Sequence, residues 1–371
     1  MEQIQLSALT KLSYDVGVPT DLCSCGTLEY FDKALDRVTP RTELALRRTL
    51  KARVPPGPAV EDPILLAVAA KPVTDAPDTG ADAVPTLRVL TCDAVLAALM
   101  CAPRSVYSWD IVITRDGDTL WLDRRAGGSF DLLTVNETAQ EPNTEEKDSI
   151  NSVDKLSAEA VAVNAAFAAQ AAIAGGRRMA FAQPDPFVEA SLGPSSMAFR
   201  YRQWRLDAST LLVARCELNA AVEYKGEDLV CTVKALNEAD SKVSGMDWRQ
   251  KIETQRGAVL ATELKNNANK LAKWTCAALL AGADQMKVGY VSRAHPKDAA
   301  AHVILATQTH KPRDFATQIN LNINNMWGIL KTVVDICKAL PDGSYLLVKD
   351  PSRPLLRLYS GVHGLENGGD W

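Results

Sequence analysis

The chain has 371 residues, 47% of them hydrophobic, with a formal net charge of -4. That length and apolar content suffice for one large core and exclude a mainly disordered chain, and the negative balance excludes a uniformly basic nucleic-acid binder, so any contact with phosphates must come from a local patch. Eight cysteines without dense, even spacing fit a reducing compartment, Cys23-Ser-Cys25 is too tight for half of a zinc knuckle, and neither a secretory leader nor an apolar run of roughly 18 residues occurs. The expectation is a soluble, cytoplasmic protein with no metal and no cofactor.

Residues 1–53 read as an N-terminal arm, with a short amphipathic helix near its end on Leu44, Leu46 and Leu50. The prolines between Pro55 and Pro85 mark 54–85 as a linker or a surface-draped segment. A main domain is expected over 86–360, ahead of a tail at 361–371. It starts with a short helix at 94–100 for which Asp93 is the natural N-cap, then a hairpin of strands 109–114 and 119–122 around Arg115-Asp-Gly-Asp118.

Residues 129–153 carry Asp131, Glu137, Glu141, Glu145, Glu146 and Asp148 against Lys147, the composition of a mobile acidic loop. An Ala-rich helix at 154–174 stops at Gly175-Gly176, and Pro184-Asp-Pro186 turns into Phe187-Val-Glu189. Strands are expected at 198–206, 211–218, 229–234 and 258–265, followed by a helix at 266–281 closed by Gly282. Strands 286–292 and 302–306, a long helix at 313–340, and strands 345–348 and 355–359 complete one mixed α/β domain.

The pattern with the most chemistry is Gly257-Ala-Val-Leu-Ala-Thr-Glu263-Leu-Lys265. Strand alternation puts Glu263 and Lys265 on one face, where a carboxylate and an ammonium hold a divalent ion and an attacking water beside a phosphate. Glu217-Leu-Asn219 shares a face in the same way, but an amide stands where a nuclease wants its second acid. The alternative for Glu263 and Lys265 is a buried ion pair that needs no ligand. Arg249, Lys251 and Arg256 with Lys270 and Lys273 on the following helix form a candidate phosphate track. Arg200, Arg202 and Trp204 share a face of strand 198–206, which suits single-stranded RNA or equally a solvated strand face. Trp109 is expected in the core.

Several runs carry a resemblance: Arg104-Ser-Val-Tyr-Ser-Trp-Asp110, Asp247-Trp-Arg-Gln-Lys251, Gln255-Arg-Gly-Ala258, Glu263-Leu-Lys-Asn-Asn267 and Gln318-Ile-Asn-Leu321. They resemble the d-subunit family of eukaryotic translation initiation factor 3. The resemblance implies a fold like that of the decapping exonucleases and a protein that binds the 5′ cap of messenger RNA within the initiation complex. It implies capped mRNA, other subunits of that factor and the small ribosomal subunit as partners. By the same resemblance the cap contacts are Asp93, Val106 and Tyr107, and on the Ala-rich helix Val161, Asn164 and Ala165, two of which lack the polar atoms of the family pattern. The segment Ser129 to Asn143, extending toward residue 153, corresponds to an RNA gate. The vestige of a nuclease site comprises Glu189, Glu217, Asn219, Glu263 and Lys265, and turnover is not expected. The rivals are an active metal-dependent decapping or 5′-to-3′ exonuclease and a scaffold that binds no RNA.

Overall fold

The computed structural model describes residues 2–47, 56–73, 86–125, 127–137, 149–187 and 196–361. In chain order the elements begin with strand β1 (Glu2–Gln5), helix α1 (Leu6–Leu9), strands β2 (Thr20–Glu29) and β3 (Leu44–Ala45), and helix α2 (Pro63–Ala69). Next come β4 (Leu87–Cys92), α3 (Asp93–Met100), the hairpin β5 (Trp109–Asp116) and β6 (Thr119–Asp123), helix α4 (Val153–Ala171) and β7 (Arg178–Ala180). A run of strands follows, β8 (Met197–Asp207), β9 (Thr210–Leu218), β10 (Ala220–Tyr224) and β11 (Glu227–Glu238), and then helices α5 (Ser241–Ser244), α6 (Trp248–Lys251), α7 (Arg256–Asn266) and α8 (Ala268–Ala281). The last part adds β12 (Gln285–Arg293), β13 (His302–His310), α9 (Pro312–Gln318), α10 (Ile323–Lys338), β14 (Gly343–Lys349) and β15 (Leu355–Ser360).

Two sheets organise these elements. The larger runs β1-β15-β14-β5-β6-β4-β9-β8-β2-β7 and the smaller β10-β11-β12-β13-β3. In the larger sheet β4 lies parallel to both β6 and β9, and every residue of β4 is buried, as a central strand covered on both faces requires. One core cluster joins this sheet to α3, α8 and α10 through residues such as Leu96, Leu271 and Leu330. A second packs Phe167 and Val163 of α4 against Val233 and Ala235 of β11. Gly289 on β12 is required by that packing, because a Cβ there would collide with the Phe167 ring.

The described part of the proline-rich segment, residues 56–73, is laid over the outer face of the larger sheet, with Ala59 and Leu65 packed on Leu90, Phe199 and Tyr201. Asp62 is fully buried, caps α2 through Ile64 N–H at 2.9 Å, and accepts from Tyr201 Oη at 2.9 Å and Arg215 Nη1 at 2.8 Å. Upstream, the arm contributes β2 between β8 and β7, while β3 takes the place of the helix expected on Leu44 and Leu46; Leu50 lies outside the described residues.

Two further expectations are overturned. Residues 256–266 form helix α7, not a strand. Val259, Leu260, Glu263 and Asn266 are its buried positions, a spacing of one, four and seven that fits one helical face, and Ala, Leu, Glu and Lys are strong helix formers. The long helix at 313–340 is broken into α9 and α10 at Ile319 to Asn322, where Asn320 takes a positive φ of 53° and Asn322 caps α10 by accepting from Asn325 N–H at 3.1 Å.

Candidate functional site

Strand β4 ends at Cys92, paired with Arg215 of the parallel β9; Asp93 follows β4 and Glu217 lies two residues farther along β9, next to its last residue. Carboxyl ends of parallel strands gather functional groups in α/β sheets. Asp93 does not cap α3 as expected: Cys92 holds the cap position without a side-chain bond, and the Asp93 carboxylate reaches across to accept Glu217 N–H at 2.8 Å. Burial pushes the Asp93 carboxyl up to about 6, with the negative Glu217 adding to the rise.

Glu217 faces the smaller sheet. Burial would raise it, but the Lys234 ammonium, 3.5 Å away, and the Asn219 amide outweigh that and hold it below the usual carboxylate range. Asn219 sits where the chain passes from β9 to β10, from one sheet into the other. Its Nδ2 donates to Glu217 Oε1 at 2.7 Å and its Oδ1 accepts Val233 N–H at 2.9 Å, so both ends of the amide are used.

Lys234 is a site residue that the sequence does not single out, although its strand is among those expected. Alternation along β11 puts Thr232 and Lys234 on one face, so the lysine beside Glu217 has a threonine two residues before it, and Thr232 Oγ1 is buried without a hydrogen-bond partner. The neighbouring residue Ala235 donates its N–H to Asn164 Oδ1 at 2.9 Å, which ties the candidate face of α4 to this strand. Val161 and Ala165 are half-buried on the same helix face, one turn away from each other. Asp93, Glu217, Asn219, Lys234 and Asn164 thus form one contiguous set.

Glu263 and Lys265 do not join it. Two residues on a helix point about 200° apart, and Glu263 is 1% exposed whereas Lys265 is exposed. Glu263 accepts from Trp248 Nε1 at 3.2 Å and Asn267 Nδ2 at 2.8 Å, and burial raises its carboxyl. Neither the shared strand face nor the buried ion pair between the two is formed. Glu189 lies outside the described residues. Among the described residues no three His, Cys, Asp or Glu side chains converge closely enough to hold a metal ion.

Val106 and Tyr107 stand exposed side by side, 45% and 43% accessible, while Trp109 is buried and donates to Ser105 Oγ at 2.9 Å. Val106 also borders a cavity of about 430 Å³ together with Leu6, Pro103, Lys349 and Arg353. Of the expected phosphate track, Arg249 pairs with Glu43 and reaches the Arg293 carbonyl at 3.3 Å, Lys251 is half-buried and Arg256 is exposed. Lys270 is buried and donates to the Thr134 carbonyl at 2.6 Å; burial brings its ammonium down to about 8. Lys273 is half-buried, and its ammonium is lowered too, again by burial. On β8, Arg200 and Arg202 are spent on the end of α8, donating to the carbonyls of Ala281 at 2.9 Å and Leu280 at 2.8 Å, and Trp204 packs on Trp327. The gate segment is described from Ser129 to Glu137 and its remainder, to Asn143, lies outside the described residues.

The fold is that of the decapping exonucleases. Rai1 of S. pombe matches with a TM-score of 0.55 at 11% identity over 97% of this chain and 99% of that one. Scheffersomyces stipitis Rai1, solved with (3′-NADP)+ and a calcium ion, matches at 0.56 and 12% identity over 98% and 94% of the two chains. Candida albicans Rai1, solved with pU5 and Mn2+, matches at 0.55 and 13% over 95% and 92%. Proteins described as the D subunit of eukaryotic translation initiation factor 3 in Arabidopsis thaliana, Danio rerio and Homo sapiens are 50%, 46% and 46% identical over 97% of this chain, which spans 58%, 63% and 64% of their lengths. The family model described as eukaryotic translation initiation factor 3 subunit 7 (eIF-3) matches residues 1–360, and the chain belongs to that family.

Proposed function

We propose that this domain binds the capped 5′ end of messenger RNA and does not cleave it. The observation that carries the reading is the composition of the side-chain set where the two sheets meet. Glu217 and Lys234 face one another there, but an amide at Asn219 and a hydroxyl at Thr232 stand on the adjoining positions of the same strand faces. A metal-dependent hydrolase recruits its ions with carboxylates, so an amide at Asn219 withholds the charge that would draw an ion there, and Thr232 supplies none. What is left suits recognition. Asp93 offers an acceptor to the donors and the positive charge of a methylated guanine, and exposed Tyr107 offers a stacking surface. Asp93, Val106, Tyr107, Val161, Asn164 and Ala165 are the proposed cap-side residues; Arg249, Lys251, Arg256, Lys270 and Lys273 the basic edge for the RNA backbone. In this reading Glu217, Asn219 and the separate Glu263 and Lys265 are relics or structural groups.

The acidic segment from Ser129 onward acts as a gate in the same reading, repelling RNA that lacks the right end through like charge. Family membership supports a cytoplasmic protein that works beside other subunits of the factor and the small ribosomal subunit. The test is a crosslink between the protein and RNA labelled at its cap, competed with free methylated cap analogue. Competition is expected, and its absence favours a silent scaffold. Incubation of the labelled RNA with manganese tests turnover, and metal-dependent loss of label would establish the nuclease instead.

A further inference from the structure

Lys349 carries a charge on an apolar face. Alternation along β14 sets it on the side of Tyr345 and Leu347, which belong to the main core, and it is 4% exposed. Its Nζ donates to the Asp350 carbonyl at 2.6 Å, and among the described residues no carboxylate stands within ion-pair distance of it. The Asp350 carboxylate is spent elsewhere: Oδ1 accepts the N–H groups of Ser352 and Arg353, each at 2.9 Å, and Oδ2 accepts from Arg357 Nε at 2.6 Å. Burial lowers the Lys349 ammonium, and the charge of Asp350 offsets only part of that. A buried cation is costly unless something supplies the negative charge.

The lysine borders a cavity of about 430 Å³ where residues 6–10, 103–106 and 349–354 meet. Leu6 N–H donates to the Pro354 carbonyl at 2.9 Å and fastens the first of these segments to the last. Arg353 brings a second cation to the rim; it is exposed and has no acidic partner among the described residues, and none of the lining residues is an Asp or a Glu. Hydroxyls supply the other donors. The side chains of Ser7 and Ser352 have no hydrogen-bond partner among the described residues, and Ser105 Oγ accepts from Trp109 Nε1 at 2.9 Å and so keeps its own proton to give. The Thr10 hydroxyl is spent on the Ser7 carbonyl at 2.8 Å. Pro103, Val106 and Pro351 form an apolar part of the wall.

We propose that this cavity is a phosphate-binding pocket, in which Lys349 and Arg353 neutralise a phosphate monoester and the serine hydroxyls donate to its oxygens. A monoester carries about two negative charges near neutral pH, which matches two cations with no acid beside them, whereas a carboxylate leaves one cation unanswered. The volume falls within the roughly 300–1,000 Å³ of small-molecule sites, so the group that carries the phosphate, a nucleoside or the 5′ end of an RNA, has space against the proline wall. The pocket is separate from the set around Glu217, since β5, β6 and β4 stand between β14 and β9 in the sheet. It holds or falls independently of the cap reading, although Val106 is common to both.

Thermal unfolding and calorimetric titration with inorganic phosphate, against chloride at matched ionic strength, compare the unaltered chain with Lys349→Met and Arg353→Gln. Saturable stabilisation of the unaltered chain is expected at roughly millimolar phosphate, with a Kd raised about tenfold in Lys349→Met and by less in Arg353→Gln. The general salting effect of phosphate acts on all three chains alike, so a rise of the same size in each overturns the pocket, as does the lack of a saturable rise in the unaltered chain. Arg353 is exposed, and its variant carries the test if Lys349→Met does not fold. Adenosine monophosphate and a short RNA with or without a 5′ phosphate identify the source. Tighter binding of the nucleotide than of inorganic phosphate shows that the wall receives a nucleoside, and competition by the 5′-phosphorylated RNA alone assigns the pocket to an RNA end. Equal competition by the 5′-hydroxyl RNA overturns the selection of a phosphate monoester.

Discussion

The side-chain amide of Asn219 links two sheets through Glu217: Nδ2 donates to Glu217 Oε1 at 2.7 Å while Oδ1 accepts the Val233 N–H at 2.9 Å. An aspartate cannot replace it without cost, since a carboxylate keeps the acceptor but turns the donor toward Glu217 into a second negative charge. Asn219→Asp is expected to lower stability by about 1–3 kcal/mol at neutral pH. The deficit should shrink as the pH falls and one of the two carboxyls binds a proton, because the protonated acid restores a donor. Urea unfolding at several pH values checks this, and a loss independent of pH would exclude the carboxylate pair as its cause.

Calorimetric titration of the same variant with manganese asks whether the set around Glu217 descends from a metal site. Asp93, Glu217 and the new carboxylate would then offer three acids around one space. Measurable heat in Asn219→Asp and none in the unaltered chain is the expected outcome. Silence in both would mean that residue 219 never faced an ion.

Why the candidate site is only half legible in the sequence follows from particular residues. Asp93 can be found because an acid ahead of an apolar helical run is conspicuous, and Glu217 because Asn219 shares its strand face two residues on. Lys234 escapes notice because β11 reads as a plain apolar strand in which one lysine looks like a solvent-facing position. Glu263-Leu-Lys265 misleads for the opposite reason: strand alternation pairs the glutamate with the lysine two residues on, whereas Trp248 and Asn267 satisfy it inside a helix. In a short apolar stretch, alternation and helical spacing both match, and only the burial of Glu263 separates them. The break between α9 and α10 has no proline or glycine to announce it, and the positive φ of Asn320 is visible only in the fold. Most strands and the capping glycine at Gly282, with φ of 62°, are readable because apolar runs and chain stops dominate their energetics.

Asp62 should be among the most sensitive positions in the chain. Its carboxylate joins α2 to Tyr201 and Arg215 across the outer face of the larger sheet, and Arg215 is 5% exposed. Asp62→Ala leaves a buried guanidinium without its counter-charge and is expected to cost about 3–5 kcal/mol. Tyr201→Phe removes one hydroxyl donor and should cost about 1–2 kcal/mol. Denaturant midpoints at constant m-value measure both, and equal costs for the two variants would contradict the central place given to the carboxylate.

Lys234→Met separates binding from architecture. The Lys234 and Glu217 side chains are each 24% exposed, so the pair is partly screened and its loss should change stability by no more than about 1 kcal/mol. If Lys234 meets an RNA phosphate, the slope of log affinity against log salt should fall by about one unit in the variant. An unchanged slope would place the RNA backbone elsewhere.

Glu238 gives the chain a pH dependence of definite sign. It is 6% exposed at the end of β11 and accepts Trp248 N–H at 3.2 Å. Burial pushes its carboxyl up to about 7, with nearby Asp247 and Glu263 adding to the rise. A folded-state value above the unfolded one of about 4.3 means that the native state binds the proton more tightly, so the stabilisation is complete below the unfolded value and is lost as the pH climbs through 7. Across that window Glu238 contributes a change on the order of 1–3 kcal/mol. Asp93, at about 6, contributes in the same direction, whereas Glu159 does the reverse. Its partners His302, Arg293 and Asn237 overcome the upward push of burial and hold it at about 2, so its stabilisation is lost only as the pH falls below 4. Glu238→Gln is therefore expected to flatten the stability profile between pH 5 and 8 while leaving the acid limb intact, as urea unfolding at each pH would show. Should the variant keep the full slope, Glu238 titrates outside that window and the burial argument for it fails.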